Sequence, residues 1–247
     1  MIEDELRWMA RLFEGAYGKP PATIRHACGA LPLLDGWEVP LPWGAAVAAG
    51  HSSDGTTSLY SMNHYAQGVV TPPTAKDWAR DCMTALDAHA SPGTHILVNR
   101  ELPAEMGLLT GAETVAATTL ALQDLHGRAG GPAPAPGRGL DGTGLCVLLI
   151  EIGSRSRATA PAQRAAAPPG TRPSDLGPLL TAAHRPGDPF HDVTLDAALD
   201  AGALGGRTIG TCVATVAPES AVPAIRKQVT ARLQPTLPRP PRYLTAR

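Results

Sequence analysis

The densest group of side chains capable of chemistry lies in AHRPGDPFHD, which brings His184, Asp188, His191 and Asp192 close together in the chain. Imidazoles and carboxylates suit zinc and related ions, and the same residue types perform general acid–base work. The proline and glycine among them point to a loop with no fixed ligand face. No metal is therefore expected, and His184 and Asp188 stand as the acid–base candidates should the chain be an enzyme. A second segment, PAEMGLLTGAE (103–113), is a glycine-broken approach to a helix. Its Glu113 falls early in that helix, where a carboxylate is favoured by the helix dipole. Trp37 and Trp43 either wall an apolar pocket or pack a core. The arginines of SRSRATAPAQR (154–164) either bind an anion or belong to a solvated loop.

The rest of the composition narrows the classes. In 247 residues, 21 basic side chains meet 22 acidic ones, for a net charge of -1. That balance gives no footprint for nucleic acid and no basic patch for a membrane surface. No segment approaches the roughly 18 apolar residues of a membrane helix, and the charged, amphipathic start has no secretory h-region. Cys28, Cys82, Cys146 and Cys212 lie far apart with no CxxC pair, which reads as free thiols in a reducing compartment. A cytoplasmic globular enzyme or binder is the expectation.

Periodicity supplies the elements that must position these residues. Leu6, Met9, Ala10 and Phe13 are spaced as a helix that Gly15 and Gly18 stop. Thr23–Leu34 reads as a strand broken at Gly29 and Pro32, and 37–49 as a second strand. SSDG (52–55) reads as a hairpin turn before a return strand TTSLYSM. Residues 75–88 and 111–126 are helical, and 95–102 alternates like a strand. The 128–144 stretch, rich in glycine and proline, is a linker, and 154–175 a poorly patterned loop. Beyond the linker, LCVLLIEI (145–152) has the length and apolar continuity of a buried strand. Short helices are predicted at 176–183 and 195–201, a strand at 211–216, a helix at 220–233, and an extended proline-rich tail. Intermixed helices, strands and local hairpins favour an α+β fold.

Four collinear stretches resemble the galactokinase branch of the GHMP small-molecule kinases. FEGAYGKPPATIRHACGALPLL (13–34) is similar to the opening helix and the strand that carries A-P-G-R. WARDCMTALDAH and HILVNRELPAEMGLLTGAETVAATTLALQDLHG resemble the helix, strand and phosphate-loop helix. LLTAAHRPGDPFHDVTLD is similar to the segment around the family's S-H pair, and AGALGGRTIGTCVATVAPESAVPAI to its last glycine-rich loop. The resemblance implies an N-terminal α/β lobe over 1–144 and a C-terminal ferredoxin-like lobe over 145–247, with a cleft between them. It also implies an ancestral transfer of the ATP γ-phosphate to a sugar hydroxyl, which rests on positioning and charge neutralisation.

The resemblance also shows what is altered. In the phosphate loop Gly107, Leu108 and Ala112 persist, but Glu105 replaces a glycine, and Leu109, Thr110 and Gly111 stand for the serine triplet. Gly107, Leu108, Thr110 and Gly111 are the remnant nucleotide-binding set. Ala30 stands for the arginine of A-P-G-R, the sugar-binding segment is reduced to Asp35 beside Trp37 and Trp43, and the catalytic aspartate's element is missing between 127 and 145. The last loop contracts to RTIGTC, keeping Arg207. Asp35, Trp37, Trp43, Glu105 and Arg207 are the expected substrate-side residues. The reading that follows is a degenerate, shortened relative that binds a metabolite or a protein without phosphorylating sugar, with no cofactor. The alternatives are an enzyme recruited to another reaction through His184 and Asp188, and a divergent kinase that keeps ATP and Mg. No nucleic acid and no membrane is expected as partner.

Overall fold

A continuous run of small apolar residues in a strand needs cover on both faces, and Ala45–Ala49 of Trp37–His51 (β2) has it. Ala45, Val47 and Ala49 pack with Cys82, Ala85 and Leu86 of Arg80–His89 (α2) and with Ala117, Ala121 and Leu122 of Ala112–Leu125 (α3). Ala46 and Ala48 face the other way, onto Met9 and Phe13 of Glu3–Tyr17 (α1). The period-two alternation of a strand thus builds two cores from one run of small residues. Thr23–Leu34 (β1), β2, Thr94–Arg100 (β4) and Ser58–Ser61 (β3) form a four-stranded sheet in the order β1-β2-β4-β3.

The computed structural model describes residues 3–72, 77–89, 93–127, 139–153 and 166–247. Residues 128–138 of the expected linker, and all of the arginine-rich 154–164, lie outside the described residues. By contact the chain divides into two units: Met1–Gly29, Pro42–Pro103 and Leu109–Ala135 in one, and Ala30–Leu41, Ala104–Leu108 and Pro136–Arg247 in the other.

The second unit is built on Leu145–Glu151 (β5). Cys212–Pro218 (β7) and Arg242–Ala246 (β8) flank it antiparallel, and Gly205–Ile209 (β6) adds to β7, giving the order β6-β7-β5-β8. Leu176–Ala182 (α4) and Pro189–Asp200 (α5) lie between β5 and β6, and Val222–Leu233 (α6) between β7 and β8. Leu148, Ile150 and Val213 pack with Leu195, Ala198, Ile225 and Val229 on one face. This is the β-α-β-β-α-β arrangement of a ferredoxin-like unit. The proline-rich tail, expected to be extended, turns first, with the Thr236 and Leu237 N–H groups on the Leu233 carbonyl, and only its end, Arg242–Ala246, is extended as the strand β8.

Four local readings need correction. α1 runs through Gly15 to Tyr17, because burial of Met9 and Phe13 outweighs one glycine; the stop is Gly18, at φ 74 with its N–H on the Glu14 carbonyl. β1 is not broken at Gly29 or Pro32. SSDG does not return the chain to β2. Instead β3 runs parallel to β4 on its far side, since a turn dictates a change of direction but not which strand receives the chain. α5 starts at Pro189, six residues before the expected position, because Asp188 caps it by accepting from the Phe190 N–H at 2.9 Å.

One contact gives the first unit a pH dependence. The His95 ring on β4 stacks on Tyr17 with centroids 4.4 Å apart, and its Nδ1 lies 2.7 Å from the Ser58 hydroxyl. Burial holds the His95 imidazole below its ordinary range. The folded state therefore binds this proton more weakly than the unfolded chain, so the stability is complete above about pH 6.5 and is lost as pH falls through the lowered value. Melting temperature compared at pH 7.5 and 5.5 is expected to fall more in the wild type than in His95→Phe, which keeps the stack. Equal losses in both proteins would remove His95 as the cause.

Candidate functional site

The N-terminus of a helix presents unpaired N–H groups and partial positive charge, a natural seat for an anion. At α3 the protein supplies that anion itself. The Gly111 N–H lies 3.1 Å from both carboxylate oxygens of Glu113, whose side chain is 1% exposed. Arg100, at the end of β4, places Nη2 3.2 Å from Glu113 Oε1 and 3.1 Å from the Leu109 carbonyl. Gly111 is at φ 96, and a Cβ there would collide with the Asp81 carboxylate of α2. A second carboxylate thus stands beside the same helix start. A phosphate brought to this helix start would meet the Asp81 carboxylate and a Glu113 carboxylate already paired with Arg100.

The resemblance made Glu105 the conspicuous acid of this segment, but it is exposed on a 3-10 turn, Ala104–Met106. Glu113 takes the amide. Sequence reading missed Arg100: nothing local marks an arginine whose partner lies thirteen residues further along the chain. Thr110 is exposed, and its hydroxyl is 3.4 Å from the Ala112 N–H. Leu108 is buried and Gly107 exposed at φ 65.

In the second unit, the contracted glycine loop is a two-residue connection in a β-hairpin, joining β6 to β7 at Gly210–Thr211. The Thr211 N–H donates to the Met106 carbonyl at 3.1 Å, and a Cβ on Gly210, at φ 59, would overlap that carbonyl oxygen. Only glycine lets the hairpin and Ala104–Leu108 approach so closely. Reading RTIG as a loop remnant overlooked β6 because its two glycines weaken the strand pattern.

The histidine–aspartate cluster resolves into two separate pairs. β6 is an edge strand, and its outward N–H groups at Gly206 and Thr208 meet the Thr181 hydroxyl (3.0 Å) and His184 Nδ1 (3.4 Å). With Nδ1 accepting, the Nε2–H of His184 donates to Asp192 at 2.9 Å. His191 is buried, its Nε2 3.2 Å from the Thr211 carbonyl and its Nδ1 3.9 Å from Asp188. Asp188 caps α5. Among the described residues no three His, Cys, Asp or Glu side chains are grouped to hold a metal ion. Proline and glycine in AHRPGDPFHD had pointed to a loop with no fixed face, yet Pro189 sits at the first position of a helix, where its missing N–H is harmless.

Of the substrate-side candidates, Asp35 is exposed at the turn between β1 and β2, followed by Gly36 at φ 78, a turn role. Trp37 is buried and Trp43 half-buried. Arg207 on β6 is buried.

His184→Ala would leave the Thr208 edge amide and Asp192 without this partner. The unfolding free energy measured in urea is expected to fall by about 1–2 kcal/mol. A variant as stable as the wild type would overturn the edge-capping assignment.

No protein-family model matches the sequence, and no curated protein matches it. Solved structures do match in three dimensions. A galactokinase from Lactococcus lactis complexed with galactose is similar over 98% of both chains, with a TM-score of 0.70 at 14% identity. A mevalonate kinase is similar over 92% of this chain and 99% of its own, with a TM-score of 0.63 at 13% identity. A homoserine kinase from Cytophaga hutchinsonii is similar over 91% and 94%, with a TM-score of 0.61 at 14% identity. The chain has the α+β fold of the GHMP small-molecule kinases.

Proposed function

We propose that this chain is a ligand-binding protein of the kinase fold that does not transfer phosphate. The observation that carries the reading is the buried Glu113 carboxylate on the Gly111 amide, neutralised by Arg100. Phosphoryl transfer depends on donors preorganised toward developing charge, and at the start of α3 an internal carboxylate holds the donor. Asp81 against Gly111 adds to the repulsion. The altered positions read from the resemblance, Ala30 and Glu105 among them, support the same conclusion. The partner is a small metabolite, within the broader class of metabolite or protein ligands that the sequence suggested.

The competing reading, a divergent kinase using ATP and Mg, is supported by the likeness to galactokinase across nearly the whole chain. Titration calorimetry with Mg·ATP, together with ADP release over galactose, mevalonate and homoserine, separates the two. The expected result is no saturable heat at millimolar nucleotide and no ADP above background. Saturable nucleotide binding with ADP release on any of these alcohols would overturn the proposal.

A further inference from the structure

Arg207 is the third residue of β6 and only 3% exposed, and its Nε has no hydrogen-bond partner among the described residues. The register shows what surrounds it. Gly206 and Thr208 pair with Thr215 and Val213, on the face that carries Leu148, Ile150 and the helices α5 and α6. Arg207 pairs with Ala214 and so projects from the opposite face. Its row across the sheet continues through Leu149 to Leu244, all apolar. The one acid that the sheet's strands carry on that face, Glu151, is opposite Cys212, and it already accepts from the Gly153 N–H at 2.6 Å and faces Arg242 at 4.0 Å. Burial alone, with no acid offsetting it, draws the guanidinium below the ordinary arginine range.

A buried cation without a counter-charge is expensive, and structures normally pair it. β6 reads GGRTI and carries no acid, so no side chain of its own strand supplies the missing charge. A guanidinium offers a planar fork of donors that matches a carboxylate or phosphoryl group in two parallel hydrogen bonds.

We propose that Arg207 is the anchor of an anion subsite, taking a carboxylate or phosphoryl group of the small-molecule ligand. The assignment rests on the metabolite-binding reading above and names the chemistry of its ligand. Thermal unfolding tests it, with inorganic phosphate and acetate titrated separately against sodium chloride of equal ionic strength. The expected result is a saturable rise in melting temperature of about 2–4 °C with one or both anions. Whichever anion acts identifies the source group. In Arg207→Met the anion-dependent shift is lost, while melting without anion stays at or above the wild-type value, because an unpaired buried charge has been removed. Arg207→Lys, which keeps the charge but not the fork, retains less than half of the shift and serves if the methionine variant fails to fold. No shift in the wild type, or a shift that survives in Arg207→Met or is undiminished in Arg207→Lys, overturns the proposal. ADP release reads phosphotransfer independently: its appearance removes the non-phosphorylating reading, whereas a missing anion shift removes only the Arg207 subsite.

Discussion

A carboxylate buried at the start of a helix needs a cation and an amide within reach, and Glu113 has both. Arg100 comes from the strand β4 and Gly111 from the residue that starts α3, so one group ties the sheet to the helix that covers it. The arrangement depends on backbone that only glycine tolerates, because Gly111 is at φ 96 with the Asp81 carboxylate pressed against it. Removing either partner would leave a buried charge alone, which costs more than the pair itself contributes. The Gly111 N–H at this helix start is thereby taken by the protein's own carboxylate.

The second unit follows a similar economy of polar groups. Its edge strand β6 exposes amides that would otherwise invite another strand, and Thr181 and His184 take two of them. The same histidine holds Asp192, while Asp188 starts α5. Four residues that resemble a metal or acid–base cluster in one dimension thus serve an edge and a helix cap in three. Arg207, on the other face of that strand, is the exception, since nothing on its row balances its charge.

Much of the fold was legible from period and punctuation. β2 and β5 were readable because a continuous apolar run of that length suits little besides a buried strand, β4 because its residues alternate, and α3 because helix-prone residues run without interruption to Gly127. Collinear resemblance over four stretches pointed to the kinase fold, which the structural likeness bears out. Each failure has its own local cause. β6 was hidden by its glycines, the start of α5 by the proline that begins it, and the place of β3 by a turn that says nothing of pairing.

The sequence by itself determined the class, the alternation that builds two cores around β2, and the altered residues along the phosphate loop, because these depend on local residue type and spacing. The tertiary structure alone decided which acid meets the Gly111 amide, which histidine nitrogen accepts, and that Arg207 is buried without a counter-charge among the described residues. Those outcomes depend on strand register and helix placement, which bring together groups far apart in the chain, and electrostatic interactions are set by such distances and not by sequence order.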